Sequence, residues 1–423
     1  VTRAAHVALV TLAVTSGACA TLSGGDRINP ENPLWFSHPS GDLNLLFRRP
    51  LTIEGRKVGE DYEHGRPEID PAGKRVFVGS SDHGLYAIRA MDGSSIWRFE
   101  TAGMVQSEPY YDAELDVVYF GSNDGAMYAV RAADGSLVWR YNVGVEVSKR
   151  PVLDGERLVF VSSADQVFAV DRTTGKTMWQ THRTPALGME IASYGSPALD
   201  TPYVYVAFSD GHVGCYDVRN GGEKWTVDLS AEAEQALQNE TQRYLDVDTT
   251  PVVVDGPNGK LVVAASYAGG IFALDAATGA RAWANTDARN VHELMHWHER
   301  AHQPHPKGPD SGGPMVPARD VLFASSSSSG LWALEPTNGR KIWRLPIPEG
   351  GVTAPAAVGG AIAIGTTRYG LFLISPINGR VIDGINLDSG FTVTPAAYGN
   401  RIYALTNAGT LLGLGIDPPL GRR

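Results

Sequence analysis

The sequence predicts an all-β protein, an eight-bladed β-propeller of four-stranded blades whose last blade is closed by an N-terminal strand. Three observations carry this. A proline preceded by a small or charged residue recurs at Pro67, Pro109, Pro151, Pro197, Pro251, Pro314, Pro355 and Pro395, which opens eight units of roughly 40 residues or more, the length of one propeller blade. In six units a small residue is followed ten residues later by tryptophan: Ala87 to Trp97, Ala129 to Trp139, Ala169 to Trp179, Cys215 to Trp225, Ala273 to Trp283 and Ala333 to Trp343. Between these markers stand Asp92-Gly93, Asp134-Gly135, Thr174-Gly175, Asn220-Gly221, Thr278-Gly279 and Asn338-Gly339, the hairpin chemistry that supplies positive φ.

Composition sets the frame for these elements. The 423 residues are 43% hydrophobic and 19% charged, with 48 Gly and 26 Pro, as expected of a folded chain with many tight turns. A net charge of -10 argues against a nucleic-acid partner and against adhesion to anionic lipid through the protein surface. The two cysteines, Cys19 and Cys215, cannot build a disulfide framework. Cys215 takes the slot filled by Ala in the other units, which predicts a small buried core residue.

Residues 1–20 read as a secretory signal peptide: Arg3, an apolar run from Ala4 to Thr15, then small residues, too short to span a bilayer. Its end has two readings. Cys19 after Ser16-Gly17-Ala18 resembles a lipobox, whose cysteine carries an acyl anchor, while Ala18-Cys19-Ala20 also fits an ordinary A-x-A cleavage site. Residues 21–44, with Gly24, Gly25, Pro30, Pro33 and Pro39, read as a tether. Leu45-Leu46-Phe47-Arg48 mirrors Leu137-Val138-Trp139-Arg140 and supplies the fourth strand missing from the last unit, which closes the ring and removes its sheet edges. Residues 45–417 are therefore one domain and 418–423 a tail. The tryptophans are expected to act as wedges between blades, each with one N–H that needs a partner. Asn378-Gly379 repeats the turn in a seventh unit that lacks the tryptophan.

Three consecutive links depart from the short spacing of Trp97 to Pro109: Trp179 to Pro197, Trp225 to Pro251 and Trp283 to Pro314. Read as outer-to-inner connections, all three emerge on one face and build a single raised patch, the kind of surface on which functional residues gather. The middle link has a helical reading with Ser230 as N-cap and a run through Arg243. It ends in Asp246-Val247-Asp248, two carboxylates on one side of an extended segment. These serve acid-base chemistry, a metal, an arginine on a partner or a local turn; no companion nucleophile or second ligand set is visible, which favours the partner. The third link holds His292-Glu293-Leu294-Met295-His296 and His298-Glu299-Arg300-Ala301-His302. H-E-x-x-H places two imidazoles on one face of a helix to hold zinc. His292, His296, His298 and His302 are thus metal candidates, against a solvated loop with Leu294 and Trp297 packed down.

Ala169 to Trp179 and Ala273 to Trp283 resemble the A-x-D-x-x-T-G-x-x-x-W repeat of the pyrroloquinoline-quinone-like propellers. Within that superfamily the exported ring resembles the BamB family of outer-membrane barrel-assembly lipoproteins, most sharply from Arg243 through Asp246-Val247-Asp248-Thr249-Thr250-Pro251. The resemblance implies a non-catalytic periplasmic scaffold without a cofactor, held to outer-membrane lipid by its acyl anchor or soluble in the periplasm. Its partner is then the POTRA domains of a BamA-like barrel-assembly protein. Pro185-Ala186-Leu187-Gly188-Met189-Glu190 is similar to the family's contact stretch, with Leu187 and Met189 as apolar anchors, Arg243, Asp246 and Asp248 as charged partners, and Glu190 where the family carries Arg. The alternative is an exported quinone- or metal-binding propeller with a redox or sensory role.

Overall fold

The computed structural model describes residues 41–51, 63–183 except 71, 194–231, 246–298 except 268, 320–385 except 348 and 349, and 390–416. Among these described residues thirty-two strands form eight four-stranded antiparallel sheets, arranged in a ring as the blades of a β-propeller. Blades 1 to 7 run through residues 68–100, 110–142, 152–182, 198–228, 252–285, 291–345 and 356–385, and blade 8 through 396–416. The first strand of each blade lies innermost, where it meets first strands of neighbouring blades. The second and third strands, such as Val117–Ser122 and Ala126–Arg131, are almost wholly buried between adjacent blades, so the core is a set of inter-blade layers.

The N-terminal strand Leu43–Pro50 pairs antiparallel with Thr410–Ile416 and completes blade 8, as the sequence predicts, though it begins two residues earlier. The tryptophans are wedges. Trp97 Nε1 donates to Ala132 O at 2.9 Å, Trp139 to Arg172 O at 2.9 Å and Trp179 to Val218 O at 2.8 Å, in each case a carbonyl of the next blade's turn. The ring of Trp97 also lies so close to Gly135 (φ +74) that a Cβ there would come within 2.8 Å, so this position needs glycine for both its conformation and its contact. Phe47 meets Gly93 in the same manner and seals blade 8 to blade 1. In blade 7 the wedge position, opposite Leu373, is Asp383, whose buried Oδ2 accepts the Leu43 N–H at 2.8 Å. Cys215 is buried opposite Trp225, and burial pushes its thiol up to about 12.

Blade 6 corrects the reading of the third long link. Val291–His298 is the innermost strand of that blade and pairs with Asp320–Ser326. The register identifies its opening. Arg150-Pro151 precedes Val152, which pairs with Val159 and through it with Ala169; in blade 6 Met295 pairs with Phe323 and through it with Ala333. Glu293-Leu294 therefore holds the place of Arg150-Pro151, and Pro314, outside the described residues, does not open the blade. H-E-x-x-H spacing is carried here by an extended strand rather than a helix. The strand is buried on both sides: Leu294 packs towards blade 5 and Trp297 towards blade 7, each 8% exposed.

Candidate partner-binding face

In antiparallel blades the outer-to-inner links share one face of the ring with the hairpins between second and third strands; the other hairpins share the opposite face. Two long links, 183–197 and 229–251, emerge on the first face. The third insertion, 299–319, lies between the first and second strands of blade 6, so the residues that flank it, His298 and Asp320, are on the opposite face. The three links expected on one face therefore do not share it: the described ends of two lie on the first face and those of the third on the opposite one.

On the first face the central channel opens as a cavity of about 540 Å³ reached by residues of all eight blades. The residue before each opening proline lines it, including Arg66, Glu108, Arg150, Ser196, Thr250 and Thr394. Arg150 donates from Nη1 and Nη2 to Glu68 at 2.7 and 2.8 Å and from Nη1 to Glu108 at 2.9 Å, while Arg66 donates to Glu108 at 3.0 Å. Burial opposes the charge of Arg150, yet the two glutamates raise its pKa. Glu293 joins from blade 6, accepting from Ala354 N at 2.9 Å and Thr394 Oγ1 at 2.6 Å. Burial works against its ionised form, and the charges of Arg66 and His292 with these two donors hold its pKa low.

The long links are stitched together where they meet the channel. Ser148 N donates to Tyr194 Oη at 2.8 Å, Arg150 N to Ser196 Oγ at 3.1 Å and Ser196 N to Thr250 Oγ1 at 3.0 Å. This runs laterally across blades 3, 4 and 5, so the bases of the two links share one rigid platform. At the other end of the first link, Arg183 donates to Asp210 Oδ2 from Nε at 3.0 Å and from Nη2 at 2.9 Å, and His212 Nδ1 lies 3.1 Å from Asp210 Oδ1. The Asp210 hydrogen bond raises the His212 pKa against the pull of burial. The second link starts with a helical turn at 229–231. Asp228 caps it, accepting from Ser230 N at 2.9 Å and Ala231 N at 3.2 Å, so the cap is Asp228 and not Ser230.

Of the predicted partner residues, Asp246 and Asp248 are described. Val247 and Thr249 are fully buried while both aspartates are partly exposed; Asp248 lines the channel mouth and burial raises the pKa of Asp246. Leu187, Met189, Glu190, Arg243, Cys19 and His302 lie outside the described residues. Of the four histidines named as metal candidates, the strand separates His292, at the channel mouth with Nε2 on Val352 O at 2.8 Å, from His296 and His298 at the far rim. Among the described residues no group of three or more His, Cys, Asp or Glu is placed to hold a metal ion, and no helix is long and apolar enough to cross a membrane. Sequence reasoning overlooked the channel ring of Arg66, Glu108 and Arg150. Its signal was the alternating charge before the repeat prolines.

Comparison with known proteins places this geometry. The family model described as outer membrane protein assembly factor BamB matches residues 113–345 and 312–417. An outer membrane protein assembly factor BamB from Legionella pneumophila is 25% identical over 44% of this chain, and the match spans 40% of that protein's length. Among solved structures, BamB from Moraxella catarrhalis superposes with a TM-score of 0.65 at 19% identity, covering 88% of this chain and 99% of the other. The quinohemoprotein alcohol dehydrogenase of Comamonas testosteroni superposes with a TM-score of 0.60 at 14% identity, over 89% of this chain and 76% of the other. At these identities both likenesses speak for the propeller fold alone.

Proposed function

The chain belongs to the outer membrane protein assembly factor BamB family, and we propose that it is a non-catalytic periplasmic scaffold of outer-membrane β-barrel assembly. In this reading it binds the POTRA domains of a BamA-like subunit through the two long links on its channel-mouth face, and Cys19 carries an acyl chain that holds it to the outer membrane. One observation carries the reading: two neighbouring long links, in a chain of this family, rise from a platform that is hydrogen-bonded from blade 3 to blade 5. A preorganised base lowers the ordering cost of binding. Leu187 and Met189 are the apolar anchors, and Asp246 and Asp248 offer carboxylates to cationic groups of the partner. The channel beneath supports the scaffold role, because Arg66, Arg150, Glu108 and Glu293 bond to one another or to the backbone and hydroxyl groups around them.

Calorimetric titration of the protein with the POTRA segment of its own host's barrel-assembly subunit tests this. Leu187→Ala and Met189→Ala are each expected to weaken binding by about 1 to 2 kcal/mol, with smaller losses for Asp246→Asn and Asp248→Asn. Absence of binding, together with a cofactor absorbance in the purified protein, would replace the scaffold with a quinone-binding propeller.

A further inference from the structure

We propose that the face opposite the channel mouth carries, at the end of blade 1, a binding site for a small anionic amphiphile: a phosphate head on an apolar chain. A cavity of about 840 Å³ opens there, within the roughly 300–1,000 Å³ of small-molecule sites. It is bounded by the two hairpins of blade 1 on that face, with Tyr111 and Ala113 of blade 2 on one side and Arg401 of blade 8 on the other. Lys74, Arg75, Arg89 and Arg401 line it against one carboxylate, Asp70, so the spot is cationic in a chain whose net charge is -10. Arg75 is already engaged: Nε donates to Asp70 Oδ2 at 2.9 Å, and Nη2 to Asp116 Oδ1 at 2.7 Å and Tyr111 Oη at 2.9 Å. The other three cations have no such counter-charge. Arg89 Nη1 donates to the Ser94 hydroxyl at 3.0 Å and Arg401 Nη1 to the Ala90 carbonyl at 3.3 Å, both neutral acceptors. Lys74 is exposed and makes no ion pair among the described residues.

The backbone gathers these cations. Lys74 O accepts the Ala90 N–H at 2.9 Å, Arg401 donates to Ala90 O, and Arg89 precedes Ala90 in the chain. The ladder also sets Arg89 directly across from Arg75, a like-charge pair that is unfavourable without an anion beside it. Next to the cations stand apolar side chains open to solvent, Met91 at 67% and Ile96 at 37%. A phosphate satisfies the guanidinium and ammonium donors through charge-assisted hydrogen bonds, and a chain attached to it covers Met91 and Ile96. An inorganic anion leaves the apolar wall wet, and a neutral amphiphile leaves the cations unpaired. The repeat itself does not create this arrangement. In blade 2 Arg131 holds the position of Arg89, but Asp116 stands in the place of Lys74 and Val117 in that of Arg75. The site shares no residue with the proposed partner face and does not depend on that reading.

The test titrates the intact protein in a calorimeter with octyl phosphate kept below its micellar concentration, and separately with inorganic phosphate and octyl glucoside. Octyl phosphate is expected to bind at one site, at least about tenfold more tightly than either control, since each control lacks one half of the contact. Lys74→Gln and Arg89→Gln should each weaken it about tenfold, and Met91→Ser/Ile96→Ser by a similar factor. Arg131→Gln, the same register position in blade 2, should bind as the parent does. All of these side chains are exposed, so the variants keep the folded ring. No binding of octyl phosphate, equal binding of either control, or binding that survives both Lys74→Gln and Arg89→Gln would overturn the assignment.

Discussion

Blades 5 and 6 lie side by side, yet their innermost strands are reached in different ways. Blade 5 is reached through residues 229–251, and the extra chain comes before its first strand, Val252–Gly256. Blade 6 follows directly after residues 286–290, and its extra chain comes after the first strand, Val291–His298. The described ends of one insertion therefore lie on the channel-mouth face and those of the other on the opposite face. Where an insertion falls relative to the innermost strand decides which surface it builds, whatever its length. Neighbouring blades can thus place their inserted chain on opposite faces of one ring.

The comparison breaks most readily at Trp297. If Val291–His298 is a blade strand, Trp297→Ala removes a ring buried between blades 6 and 7 and costs about 3 to 5 kcal/mol; if it were a surface loop the cost would stay within about 0.5 kcal/mol. Denaturant unfolding of the variant against the parent distinguishes the two. A smaller effect sharpens the picture at the base of the first link. Asp210 raises the pKa of His212 in the folded protein above the ordinary value near 6.5. The pair's contribution is therefore complete below about pH 6.5 and is lost as pH rises through the folded pKa. The gap in urea midpoint between the parent and His212→Gln should accordingly be widest near pH 5.5 and shrink towards pH 8.5. A gap independent of pH would remove His212 from the anchoring of Arg183.

Much of this fold is legible in the chain. The tryptophan spacing and the glycine turns place six wedges, and the likeness of Leu45-Leu46-Phe47-Arg48 to Leu137-Val138-Trp139-Arg140 locates the closing strand, because each signal reflects a local requirement for a large plane, a positive φ or a paired edge. Blade 6 escapes this reading because Leu294 stands in the proline slot and because a strand buried on both sides loses the alternation that marks a half-buried one. Its histidines at rim and channel mouth make it look like solvated chain. The channel ring was partly visible as charges before prolines, but that they face one cavity follows only from closure of eight blades. The lateral bonds from Ser148 to Thr250 join segments far apart in sequence and leave no periodic trace.

The central claim, that the channel-mouth links and not the opposite insertion receive the partner, is tested most directly by one paired titration. The POTRA segment is titrated into two variants, one with residues 184–193 replaced by a short Gly-Ser connection and the other with residues 299–319 replaced in the same way. The account predicts that the first loses binding by at least about 100-fold, more than 2.7 kcal/mol, and that the second binds as the parent does. Intact binding by the first variant, or loss confined to the second, would contradict it.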